Sequence, residues 1–198
     1  MNVSKELKLR AFEPVLKKHL FKKNGSAWTF KLESGVEYIV ELVIHTVVIN
    51  NFSFSINYGI YYQGVQELLY SFPLNKKHGA GNCIFHGSVN KKQIKQFWVS
   101  DDFSSFEAFK DDVSNSLENS ILPFLNNIKT GEDLLDLFKN DIDYYLKNDS
   151  ILALKIACLH FLLGKKEKGK DIVETAIRNS KLKFDFAESL LFRMRNLG

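Results

Sequence analysis

The chain has 198 residues, 45% hydrophobic and 25% charged, with three prolines, a composition that excludes long disordered, collagenous or low-complexity tracts. This length supports one well-filled core, or one core plus a smaller helical unit. The net charge of +4 is unevenly spread: +7 over residues 1–100, −8 over 101–150 and +5 over 151–198.

Leu7, Leu9, Phe12, Val15, Leu16 and Leu20 recur near helical spacing and predict a first helix over 4–19. Ser4 is its candidate cap, and Pro14 marks either a kink or the true start of the helix. Lys5, Glu6, Lys8, Arg10 and Glu13 interrupt this segment, so it does not read as a secretory leader. Lys22-Lys23-Asn24-Gly25-Ser26 reads as a turn. Alternating aromatic and β-branched residues then predict strands over 27–33, 37–49, 52–62 and 82–89. Ser34-Gly35 and Asn50-Asn51 are tight-turn chemistry, so the first three strands form an antiparallel meander. Residues 73–81 have no period and predict a loop. The most apolar strand is broken by Glu41 and His45 and is too short to span a bilayer.

From Phe103 the period turns helical, predicting helices over 104–127, 131–146, 150–163, 167–179 and 184–196, with Thr130 and Asp149 or Ser150 as caps. The 150–179 pair, turning at Leu163-Gly164, is weakly tetratricopeptide-like; with no second copy it reads as a single hairpin docked on other elements. The fold class is therefore α+β: an N-terminal helix, an antiparallel sheet of four or more strands covered on one face by helices, and an all-helical C-terminal extension. The domain boundary falls between 1–127 and 128–198. Cys83 and Cys158 read as buried free thiols, which suits a cytoplasmic setting.

Alternation sorts the sheet into two faces. Trp28, Phe30, Tyr38, Val40, Leu42, Ile56 and Ile60 share the face that needs a cover. Thr29, Lys31, Glu37, Ser53 and Ser55 share the other, which reads as solvated. On that second face Glu41, His45 and Asn57, with His86 or Cys83 depending on register, are candidates for a small-ligand floor or for acid/base work.

The chain shows no nucleophile elbow, P-loop or paired metal knuckle, so no catalytic residue, metal or cofactor is assigned. Lysine clusters beside Trp28 and Trp98 suggest nucleic acid, but the near absence of arginine from them argues against it. The acidic stretch suits a basic protein partner, with Asp111, Asp112 and Asp136 as the candidate contacts.

The segment order resembles a bacterial family catalogued as domain of unknown function 4304. The resemblance covers about residues 5–127. It is carried by Leu16-Lys17-Lys18-His19-Leu20-Phe21-Lys22-Lys23 followed by Trp28, by Phe54-Ser55-Ile56-Asn57-Tyr58-Gly59-Ile60, by the Cys83/His86 strand, by Trp98, and by Ile121-Leu122-Pro123-Phe124-Leu125. It implies a bacterial, intracellular α+β domain and brings no functional residue with it. The leading expectation is a non-enzymatic interaction module, with an immunity-type binder as its narrower form. The alternatives are a small-ligand binder or enzyme using the polar sheet face, and a nucleic-acid binder using the basic half.

Overall fold

The computed structural model describes residues 8–48, 51–71, 79–89, 98–99, 106–179 and 185–197. Expectations at Ser4, Asn50, residues 72–78 and Phe184 lie outside these, as do those resting on the side chains of His45 and Trp98. The architecture is α+β with an antiparallel sheet and a mostly helical C-terminal part. No helix among the described residues is long and apolar enough to cross a membrane.

A π-helical turn, Lys8–Phe12, runs into α1 (Glu13–Lys18). Pro14 sits in the first turn of α1, where its missing N–H costs no helical hydrogen bond. The helix ends in a Schellman arrangement, with Phe21 N–H donating to Leu16 at 2.9 Å and Leu20 N–H to Lys17 at 3.0 Å. Leu20 therefore takes φ +64°, the position glycine usually fills.

The sheet runs β1 (Lys22–Asn24), β2 (Ala27–Lys31), β3 (Val36–Val48), β4 (Asn51–Tyr62) and β5 (Phe85–Ser88) in spatial order, with β6 (Trp98–Val99) also paired to β4. The expected turn at 22–26 is instead the hairpin of β1 and β2, closing through Gly25 at φ +67°. The β2–β3 register sets Trp28 against Val40 and Phe30 against Tyr38, as alternation requires. On this face Trp28, Tyr38, Val40, Leu42, Ile56 and Ile60 are all buried. The helical elements that follow in this unit are α3 (Phe106–Ser116), a π-helical turn (Leu117–Ile121) and α4 (Leu122–Asn126), with Leu117, Ile121, Leu122 and Leu125 buried. The Phe124 ring lies 5.6 Å from Tyr58 and 5.0 Å from Phe85, centroid to centroid.

The chain divides into two compact units. The first comprises residues 1–32, 37–61 and 77–127; the second comprises 33–36, 62–76 and 128–198. The second unit contains a helix not expected from sequence, α2 (Gln63–Tyr70), then α5 (Gly131–Asp136), α6 (Ile142–Asn148), α7 (Ser150–Leu162), α8 (Lys166–Asn179) and α9 (Asp185–Asn196). The helix expected over 131–146 is two helices, separated by turns in which Phe138 N–H reaches Leu135 and Asp141 N–H reaches Phe138. Thr130 caps α5 in a full capping box with Asp133, and Asp149 caps α7 through Leu152 N–H at 3.0 Å. Helix α7 is buried from Ala153 to Phe161 at every position but Lys155, because α2, α5, α6 and α8 all pack on it.

Candidate functional site

The β4–β5 register resolves which residue of the Cys83/His86 pair shares the second sheet face. His86 lies opposite Gly59, and Ser88 opposite Asn57, so His86 and Asn57 share it. Cys83 precedes β5 and is brought over Gly59 by the 3₁₀ turn Ala80–Asn82; a Cβ at Gly59 would stand 2.5 Å from its Sγ. The alternation argument therefore does not apply to it. This face is the solvated surface expected only in part: Lys31, His86 and Ser88 are exposed, but its middle is not. Ala27, Ile39, Tyr61 and Cys83 form a buried cluster on it, and Ser55 is buried as well.

The polar groups there are satisfied locally. Ser26 Oγ donates to Glu41 Oε1 at 2.9 Å, and Glu41 Oε2 lies 3.2 Å from where a Cβ at Gly79 would stand. Ser55 Oγ donates to Asn57 Oδ1 at 3.1 Å, and His86 is exposed. Among the described residues no hydrogen bond or ion pair joins Glu41, Asn57 and His86, and no cluster of three metal-binding side chains occurs. The His45 side chain lies outside the described residues.

The acidic contacts separate between units: Asp111 and Asp112 lie on α3 in the first, and Asp136 ends α5 in the second. Asp111 is 3.8 Å from Lys110 and Asp136 is 3.6 Å from Lys139. Other acids of the same stretch are paired within their own unit. Arg10 meets Glu107 at 2.8 Å, Lys18 meets Glu118 at 2.8 Å, and Lys165 pairs with Glu132. Hydrogen bonds from Lys110 and from Lys18 hold the carboxyls of Glu107 and Glu118, respectively, below the usual range. Two lysines of the basic cluster beside Trp28 are likewise engaged. Glu13, itself buried, accepts from Lys23 at 3.0 Å and Lys17 at 3.3 Å, which keeps its carboxyl low. The same two lysines stand 5.8 and 6.0 Å over the Trp28 ring, which is 4% exposed and closed to base stacking.

Two concave features in the second unit were not anticipated. The larger is a groove of about 540 Å³ formed by α2, α7 and α9, walled by Leu68, Phe161, Leu162 and Leu197 with Glu67 and Arg193 on its polar side. Compared with family models, with curated proteins and with solved structures, the chain gives no match. The groove's physical character is thus read from its own residues. Arg193 donates from Nε to Leu68 O at 3.1 Å and from a terminal nitrogen to Leu69 O at 2.7 Å, so its charge closes the C-terminal end of α2. Glu67 accepts from Gln63 at 2.6 Å and has no cationic partner among the described residues. Val65, Leu68 and Leu69 carry the helical spacing that could have revealed α2. The smaller feature is a cavity of about 160 Å³ beside His160. Cys158, on the same helix, is a buried free thiol whose pKa is driven far up by desolvation, so it stays protonated.

Proposed function

We propose that the chain is a non-enzymatic protein-interaction module that receives an amphipathic, basic segment of its partner in the groove of α2, α7 and α9. One observation carries the reading: the walls of that groove are apolar, yet Leu162 is 41% and Leu197 64% exposed. Apolar side chains held in water along a concave surface gain by docking, and a helix in a groove is the usual way to supply the missing contacts. The polar groups select the sign of the partner. Arg193 keeps its positive charge but spends Nε and a terminal nitrogen on two carbonyls, so the group best placed to pair with a ligand is Glu67, which suits lysine or arginine flanking apolar anchors. A bacterial, cytoplasmic setting and an immunity-type role belong to the same proposal, supported by the two buried thiols and by the segment order of residues 5–127.

The test uses ¹⁵N-labelled protein and two defined probes, a helical leucine/lysine heptad peptide and its leucine/glutamate counterpart. The lysine peptide is expected to shift the amides of Gly64, Leu68 and Leu162 saturably, the glutamate peptide to leave them unchanged, and Glu67→Lys to reverse the preference. Shifts spread over both units, or equal for the two peptides, defeat the reading.

A further inference from the structure

We propose that the second unit also contains a small-oxyanion site, the cavity beside His160, built to hold a sulfate- or phosphate-sized group. It shares no residue with the α2–α7–α9 groove and does not depend on that reading. Its volume of about 160 Å³ corresponds to roughly five waters at about 30 Å³ each, room for a tetrahedral oxyanion and part of its hydration. Part of the lining is apolar, with Leu135, Ile156 and Ile172, while the paired charges beside it are exposed to water.

The polar lining is His160, Lys139, Lys165, Lys168, Glu132 and Asp136. Lys165 is paired with Glu132, and Lys139 lies 3.6 Å from Asp136. Lys168 has no carboxylate partner among the described residues, so with a neutral imidazole the lining carries one uncompensated positive charge. The loop that brings the lysines is fixed to His160 itself. Gly164, at φ +82°, closes α7 in a Schellman arrangement, and Lys165 N–H donates to His160 O at 2.9 Å. Helix α8 then opens with Lys166, Glu167 and Lys168, so its first turn carries one acid against two cations where the macrodipole favours anions, and a bound oxyanion adds to what Glu167 supplies.

The imidazole supplies the directional contact. His160 is 8% exposed, and its Nδ1 is buried with no hydrogen-bond partner. An N–H in that position would lose its full desolvation cost, which favours the neutral tautomer with its proton on Nε2, in a ring that lines the cavity. The cavity therefore presents an Nε2–H donor and a free ammonium to one small space. Lysine binds phosphate as a point charge, whereas a planar carboxylate is better matched by an arginine fork, which is absent from this lining.

Occupancy has a pH signature. Burial, then Lys168 and Lys165, push the His160 pKa down to about 4, with Glu132 acting in the opposite direction. An oxyanion beside the ring opposes the lysines and raises that pKa, so by linkage the ion binds more tightly as pH falls. Sulfate is the cleanest probe because its own charge does not change over this range.

The experiment follows the His160 side-chain nitrogens by NMR in the full chain at fixed ionic strength, titrating sulfate, inorganic phosphate and a phosphoserine peptide against a chloride control. The expected result is saturable shifts at Nε2, a His160 pKa raised by sulfate, and binding about tenfold weaker in Lys168→Ala, the worth of one hydrogen bond to a charged group. Lys168→Arg and Lys166→Ala retain binding. Tighter binding of the phosphoserine peptide than of inorganic phosphate assigns the oxyanion to a modified partner; the reverse assigns it to the free ion. Linear shifts matching those of chloride, or unchanged affinity in Lys168→Ala, overturn the proposal.

Discussion

Replacing His160 by leucine should remove one limb of the protein's acid sensitivity, and the size of that limb follows from its surroundings. The ring sits among Leu135, Ile156 and Ile172, which accept a leucine of similar bulk. In the unfolded chain the imidazole titrates near 6.5. In the folded protein burial and the nearby lysines lower its pKa to about 4. At pH 7 both states are neutral there and the group contributes nothing to the slope. Between about 6.5 and 4 the unfolded state binds the extra proton, so stability is lost at about 1.4 kcal/mol per pH unit. Below the folded pKa both states are protonated and the loss stops, after about 3 kcal/mol in all. Urea unfolding of wild type and His160→Leu at pH 7, 6, 5 and 4 isolates this effect, because the carboxylates held low in the native state are common to both proteins. The variant should gain on wild type steadily as the pH falls. Parallel stability curves would show that the ring is not held neutral by burial and would refute the reasoning.

Two further substitutions probe the packing that shapes the concave features. Gly169→Ala should destabilise by about 1–3 kcal/mol despite the better helix propensity of alanine, because its Cβ would stand 2.7 Å from Ala157 O and 3.1 Å from Phe161 N, both backbone atoms; a raised melting temperature would contradict the close α7–α8 crossing. Arg193→Met should cost about 2 kcal/mol in urea unfolding by stripping the Leu68 and Leu69 carbonyls of a charged donor, and Arg193→Lys should recover less than half, since one ammonium cannot reproduce the fork.

What was legible in the sequence followed from strong periodicity. The Trp28–Val40 face, the α7–α8 hairpin and the caps at Thr130 and Asp149 all depend on local spacing, and each occurs in the structure. What was not legible depends on register or on short elements. Helix α2 has eight residues and starts directly at the end of β4, so its Val65, Leu68 and Leu69 spacing was too brief to stand out from a strand end. The two-sided burial of the sheet turned on Cys83 being lifted over Gly59 by a 3₁₀ turn, which no alternation pattern encodes. His160 escaped notice because α7 carries a single charged residue, Lys155, and no polar stripe marks the position where its ring lines a cavity with Lys165 and Lys168.

The alternation of charge along the chain bears on how a partner would be recognised. A basic, then acidic, then basic sequence suggests a steering surface, but in the folded chain the opposite signs meet each other. Arg10 and Lys18 neutralise Glu107 and Glu118 inside the first unit, and Lys165 neutralises Glu132 inside the second. Exposed pairs of this kind contribute little to stability, about 0–1 kcal/mol each, and their larger effect is to cancel the field that a distant partner would sense. At physiological salt the residual field decays within about 8 Å, so selection shifts from long-range attraction to contact. The charges that then matter are those that keep hydrogen-bonding capacity for a ligand at concave surfaces: Glu67 beside the apolar groove, where Arg193 is bonded to two carbonyls, and Lys168 beside His160. They have opposite signs and separate surroundings. A ligand that satisfies one cannot satisfy the other, and Glu67→Lys should therefore leave sulfate binding at His160 unchanged while it reverses peptide preference in the groove.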